Sequence, residues 1–126
     1  MATLPLWTAG DAAASPEQDP HGIDQHTKGA KLDAGKLRVG LVLGDFSRAL
    51  RAVSAVGTFG ANKYTDSGWL SVPNGISRYN DAGLRHWLDR MGGEELAPDS
   101  GLPHLAHECW NKLAELELKL RAKDGK

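Results

Sequence analysis

The longest regular alternation of apolar and polar positions runs from Asp99 to Leu120, DSGLPHLAHECWNKLAELELKL. At 100° per residue, Leu105, Ala106, Cys109, Leu113, Leu116 and Leu120 fall within one arc about 100° wide, which predicts an amphipathic helix. Asp99 or Ser100 can cap it by accepting hydrogen bonds from free backbone N–H groups, and Pro103 suits a first turn that needs no donor. His104, His107, Glu108, Asn111 and Glu115 gather on the opposite arc. The pattern predicts a leucine face turned to the core. The other face carries two imidazoles, two carboxylates and an amide.

Two further segments repeat at helical spacing. From Asp45, a plausible cap, Phe46, Ala49, Leu50, Val53 and Val56 recur at three and four. Gly57 and Gly60 interrupt that pattern, and TFGANKYTDSGW then reads as a turn, a short helical piece and a loop. The second segment spans roughly Gly75 to Met91, with an apolar arc of Ile76, Leu84, Trp87, Leu88 and Met91 and a Gly92-Gly93 stop. Asp81, Arg85 and Asp89 follow at i, i+4 and i+8, the spacing of an exposed charge ladder. Asp81 borders the apolar arc and could enter a helix–helix seam, whereas His86 points away from it. Val39 to Leu43 is too short for a sheet. Short connections between striped helices predict an all-α, antiparallel helical bundle.

Composition adds an irregular arm. Residues 1–27 hold Pro5, Pro16 and Pro20 among Ala, Asp, Gln and Gly, and read as an N-terminal arm that Leu4, Leu6 and Trp7 could dock. Residues 28–126 form the single helical domain. His21 and His26, in the arm, read as exposed surface. A formal net charge of −1 disfavours duplex DNA as a partner. The lone Cys109 reads as a small core residue in a reducing compartment. Apolar runs are too short to span a membrane and the N-terminus lacks a signal-peptide pattern, so a soluble, intracellular protein is expected.

Candidate chemistry lies in three places. GAKLDAGKLR brings Lys31, Lys36 and Arg38 among glycines, either a solvated loop or a phosphate-contacting one, but lacks the GK[ST] of a P-loop. Lys63, Tyr64 and Trp69 read as a packed loop or as a base-stacking, phosphate-binding one. His104 and His107 are three apart on a helix and Glu108 is four from His104, a spacing that brings metal ligands to one face. Glu94, Glu95 and Asp99 just upstream, with Asp81 on the preceding helix, enrich the group in oxygen donors. Such a set suits Mg²⁺ or Mn²⁺. A divalent ion beside several cations is a kit for polyphosphate hydrolysis. CxxC, HExxH, GxSxG and a His-Asp doublet are all absent, and Cys109 has no activating surroundings.

The runs GAKLDAGKLR, TFGANKY with Trp69, RYNDAGLRHWL and GEE with PDSGLPHLAHECWNKLAELEL resemble a mostly phage-encoded family. These are the dATP/dGTP diphosphohydrolases, relatives of MazG-like nucleotide pyrophosphohydrolases and called MazZ in phages that replace adenine with 2-aminoadenine. The resemblance spans about Gly29 to Leu120. It implies an all-α pyrophosphohydrolase, oligomeric as a dimer or tetramer, using Mg²⁺ or Mn²⁺. The implied reaction cleaves dGTP or dATP between the α and β phosphates, and the dGMP would feed 2-aminoadenine nucleotide synthesis. Matching positions are Asp81, Arg85, His86, Glu94, His104, His107 and Asn111, with Lys31, Asp33, Lys36, Lys63 and Tyr64 earlier.

The chain departs from the broader MazG pattern of ExxE and ExxD on successive helices. It offers HxxHE and ExxN (Glu108 to Asn111) on the last helix, and Asp81 and HxxD (His86 to Asp89) on the one before. The expected ligands are Asp81, Glu94, His104, His107 and Glu108, of which Glu94, Glu108, His104 and His107 are the catalytic candidates. Lys31, Lys36, Arg38 and Lys63 are expected on phosphates, and Tyr64, Trp69, Arg85 and Asn111 elsewhere on the nucleotide. Two other readings stand beside this one: a non-catalytic helical interaction protein, and a triphosphohydrolase releasing tripolyphosphate. With the leucine face in the core, Leu113→Ala should cost ~2–5 kcal/mol. Glu108→Gln should remove activity and spare the fold.

Overall fold

The apolar repeats fold into four α-helices: α1 (Gly40–Leu43), α2 (Ser47–Lys63), α3 (Gly75–Met91) and α4 (His104–Lys123), with a 3-10 turn at Gly68–Ser71. The computed structural model describes residues 17–125. Among these there is no strand, only an isolated antiparallel bridge between Leu96 and Pro103, so the all-α expectation holds. No helix among the described residues is long and apolar enough to cross a membrane. The chain packs as two units, one ending at Asp45 and one beginning at Phe46. The expected docking of Leu4, Leu6 and Trp7 lies outside the described residues.

The first unit is organised by one carboxylate. Asp19 is buried and accepts backbone N–H bonds from His21 (2.7 Å), Ile23 (3.3 Å) and Lys31 (2.8 Å). These bonds, the one from Lys31 foremost, hold its carboxyl below the usual aspartate range. Lys36 pairs with Glu17 in the same unit, and His21 and His26 are exposed as expected.

In the second unit α4 packs against both α3 and α2. Gly75 lies against Leu118, Gly83 against Asn111, and His86 against His104, so α3 and α4 run antiparallel. Along α2, Gly57 meets Trp110 and Phe59 meets His107, again in opposite chain directions. The helix α3 has the bounds its apolar repeat predicts. The bounds of the other two long helices differ. The helix α2 starts at Ser47, because the carbonyl of Phe46, not Asp45, accepts the first intrahelical bond, from Leu50 (2.8 Å). It also runs unbroken through Gly57 and Gly60 to Lys63. A helix-interior glycine costs only ~1 kcal/mol relative to alanine, too little to stop a helix anchored on both sides. The helix α4 begins at His104, with Pro103 as its N-cap and no side-chain capping bond.

The largest correction concerns which face of α4 is buried. His104, Ala106, His107, Asn111 and Ala114 are buried, while Leu105, Cys109, Leu113 and Leu116 are exposed. Leu113, expected in the core, is 51% exposed. The apolar arc of α3 behaves alike: Leu84, Trp87, Leu88 and Met91 face outward, and His86, expected outside the seam, enters it. Periodicity identifies two faces of a helix but not their neighbours. Here the tight crossing selects small residues. At Gly83 a Cβ would stand 3.3 Å from the Cβ of Asn111, so the backbones approach closely and the polar side chains satisfy one another within the seam.

Leu113→Ala therefore should cost the isolated chain well under the ~2–5 kcal/mol of a core cavity. Gly83→Leu should cost ~1–3 kcal/mol by overpacking the seam. Urea titrations of both variants check the order, and the reverse order would contradict this packing.

Candidate active site

The loop between α3 and α4 delivers the polar side chains. Gly93 takes a left-handed backbone (φ 101°) after α3. The chain then folds back on itself, with Ala97 N–H donating to the Leu102 carbonyl (2.8 Å) and His104 N–H to the Glu95 carbonyl (2.9 Å). This fold brings Glu94 Oε1 to 2.6 Å from His104 Nε2. His104 is 2% exposed, and its other ring nitrogen lies 2.8 Å from His86 Nδ1. Asp89 stands one turn beyond His86 on α3. The ligand atoms of Asp89, Glu94 and His104 all lie within 4.8 Å of one another, a group able to hold a cation.

His107 completes a stack. Its ring lies parallel to His86 at 4.3 Å, edge-on to Phe59 at 6.3 Å, and its Nε2 is 2.7 Å from Ser100 Oγ. Asn111 Nδ2 donates to the His107 carbonyl (2.8 Å). Burial holds both His86 and His107 below the ordinary imidazole value of 6.5, and a neighbouring imidazole adds to it: His104 for His86, and His86 for His107. Their surroundings favour the neutral form of both His86 and His107.

On one side of this stack opens a cavity of about 600 Å³, lined by α2, the 3-10 turn, α3 and α4. Trp69, Tyr79 and Trp110 form an aromatic wall, each edge-to-face with the other two at 5.5–6.0 Å. Tyr79 donates its hydroxyl to the Trp69 carbonyl (2.8 Å), which ties the turn to α3. Lys63, Arg78 and Arg85 supply positive charge to the lining, and His86, His107, Asn111 and Asp99 are in it too. Lys63 Nζ lies 3.9 Å from Asp99 and over the rings of Phe59 and Tyr64. Tyr64 is largely exposed at the C-terminus of α2.

The structure thus brings together Glu94, His104 and His107, and separately Lys63, Tyr64, Trp69, Arg85 and Asn111 around the cavity. Asp81 is exposed on α3 and stands outside the ligand group, where Asp89 is found instead. Glu108 is taken up by a two-point pair with Arg90 (2.6 and 3.1 Å). Lys31, Lys36 and Arg38 belong to the first unit. Among the described residues no ion pair joins Asp81, Arg85 and Asp89 as a ladder. The expected ligand and substrate sets lacked Asp89, Tyr79 and Trp110, and His86 entered only as a position matched by the family resemblance. The HxxD spacing of His86 and Asp89 was the available signal, and the aromatic pair carried none beyond its apolar character.

The dATP/dGTP diphosphohydrolase family model, that of its N-terminal region, matches residues 26–126. The chain belongs to this family. The match includes the cavity, the histidine stack and the Asp89–Glu94–His104 group. Membership in the dATP/dGTP diphosphohydrolase family supports hydrolase activity in general and a nucleotide as the substrate. No curated protein and no solved structure matches the chain.

Two outcomes test the site's construction. Glu108→Gln should lower stability, because it removes the charge paired with Arg90, rather than acting on chemistry alone. Chemical denaturation measures it. The histidines set a pH dependence. With folded values below 6.5, the unfolded chain binds more protons in the window beneath that value. Stability is complete above the unfolded value and is lost as pH falls through the folded values. Melting of chelator-treated protein should therefore move to lower temperature between about pH 7.5 and pH 5.5. A flat profile would contradict neutral rings in the seam.

Proposed function

We propose that the chain hydrolyses dGTP and dATP between the α and β phosphates, with water adding at the α phosphorus and pyrophosphate leaving with the dNMP. The observation that carries this reading is the double position of His86. It lines the cavity with its aromatic wall and cations, and it touches His104 of the Asp89–Glu94–His104 group. A nucleotide needs both environments. Aromatic surface suits a base and Lys63 and Arg85 suit phosphates, while a carboxylate–imidazole group suits a divalent cation.

Asp89, Glu94 and His104 would hold Mg²⁺ or Mn²⁺; the chemistry such a cation supplies is charge for phosphoryl oxygens and acidification of water. Lys63 and Arg85 bind and orient the polyphosphate. The stacking of His86 on the buried His107 keeps the ring beside the cavity in one orientation. Trp69 and its neighbours exclude water from the base. The role as a phage-borne source of dGMP for 2-aminoadenine nucleotides follows the family resemblance.

A homo-oligomer, dimer or tetramer, belongs to the same proposal. Leu84, Leu88 and Met91 on α3 and Leu105, Leu113 and Leu116 on α4 leave apolar stripes at about half exposure that a second copy would cover. Sedimentation of the parent should give an assembly that Leu113→Glu converts toward monomer. A parent already monomeric at high concentration would remove this part.

Incubation with dGTP or dATP and Mn²⁺ should release pyrophosphate and monophosphate, and a chelator should abolish it. Tripolyphosphate as product would move the cleaved bond, and no release with any divalent ion would leave a binding protein. Asp89→Asn and Glu94→Gln should each lower activity at least ~10-fold. Asp81→Asn should not, and a loss there equal to that of Asp89→Asn would place the cation elsewhere.

A further inference from the structure

We propose that Gly60 shapes a purine-sized base subsite in the cavity, and so acts as a specificity-determining residue; this rests on the nucleotide reading above. Gly57, Gly60, Ala61 and Tyr64 stand at i, i+3, i+4 and i+7 from α2 into its cap, and all four line the cavity. The two glycines have different reasons to be there. At Gly57 a Cβ would come within 3.4 Å of the Trp110 indole nitrogen, so the close approach of α4 accounts for it.

Gly60 has no such account in the protein alone. A Cβ there would meet nothing within 4 Å, and the backbone is helical rather than left-handed. Alanine would fit, and would favour the helix, since glycine is the poorest interior helix former after proline. The space that glycine leaves open is part of the cavity whose wall carries Trp69 and Trp110. A planar base needs a slot with aromatic surface and bare backbone among its walls. Aromatic stacking accepts any base, so discrimination falls to the room available. A side chain at position 60 takes the room of a second fused ring before it takes that of one.

The test grades the side chain through Gly60→Ala and Gly60→Leu. Both should melt no lower than the parent, with Gly60→Ala higher. Affinity for dGMP, read by tryptophan fluorescence, should fall roughly tenfold or more, the effect of a carbon or two misplaced in a fitted pocket. KM for dGTP should rise in parallel, KM for dCTP should rise much less, and inhibition by inorganic tripolyphosphate should be unchanged. Unaltered dGMP affinity in both variants, or equal losses for dGMP and tripolyphosphate, would overturn the subsite. If the parent binds dGMP in a manner sensitive to position 60 but releases no pyrophosphate, the subsite stands and the hydrolysis reading fails.

Discussion

Packing three imidazoles between α3 and α4, with His104 and His107 buried and His86 partly so, is the constraint from which the rest follows. A buried ring nitrogen without a partner is expensive, so each buried ring must be answered by a neighbour. One set of tautomers satisfies the bonds between His86, His104 and Glu94. Without a cation, His104 donates from Nε2 to Glu94 and accepts at Nδ1 from His86 Nδ1–H, and a cation held by His104 would replace the Nε2 proton. His107 meets Ser100. The loop from Gly93 to Pro103 must therefore fold back tightly enough to bring both Glu94 and Ser100 to the helix it precedes. The seam also needs a position without a side chain, and Gly83 supplies it.

The helical class and α3 were legible because long apolar repeats at 3.6-residue spacing have few other interpretations. The grouping of Glu94 with His104 and His107 was legible for a similar reason, since i, i+3 histidines share a helix face whatever lies opposite them. The facing of α4 was not legible. An arc of leucines is ordinarily the buried arc, and only the partners of His104, His107 and Asn111 reveal the inversion. Those partners come from Ser100, Glu94 and His86, which are distant in angle or in chain. Asp89 was hidden by the same error. With His86 placed outside the seam, the HxxD spacing pointed at solvent, and Asp81 beside the leucines looked the better ligand.

The glycines of α2 show a second limit. Gly57 and Gly60 weaken a helix locally, and read in isolation they mark its end. The helix continues because Val56 is buried and its neighbours pack on α4, a tertiary contribution larger than the local penalty. The same substitution that costs helix propensity leaves a concave surface where side chains would otherwise stand. A helix of better formers would be more stable and would have less cavity beside it.

The inversion of α4 also bears on assembly. Among the described residues the buried apolar side chains are Val56, Ala97, Ala106 and Ala114, a thin core, while many large apolar residues remain exposed. Burial of apolar surface is the main favourable term in folding, so this distribution leaves the chain stability still to gain from a covering surface. Helical periodicity puts Leu84, Leu88 and Met91 on the side of α3 turned away from the seam positions Gly83 and His86. On α4 the exposed leucines likewise lie opposite the histidine seam. A second copy seated on those stripes would cover the apolar faces that are turned away from the histidine seam. Turning the polar face inward thus separates two demands that a conventionally oriented helix would place in conflict: enclosing the ionisable groups, and presenting apolar surface for assembly.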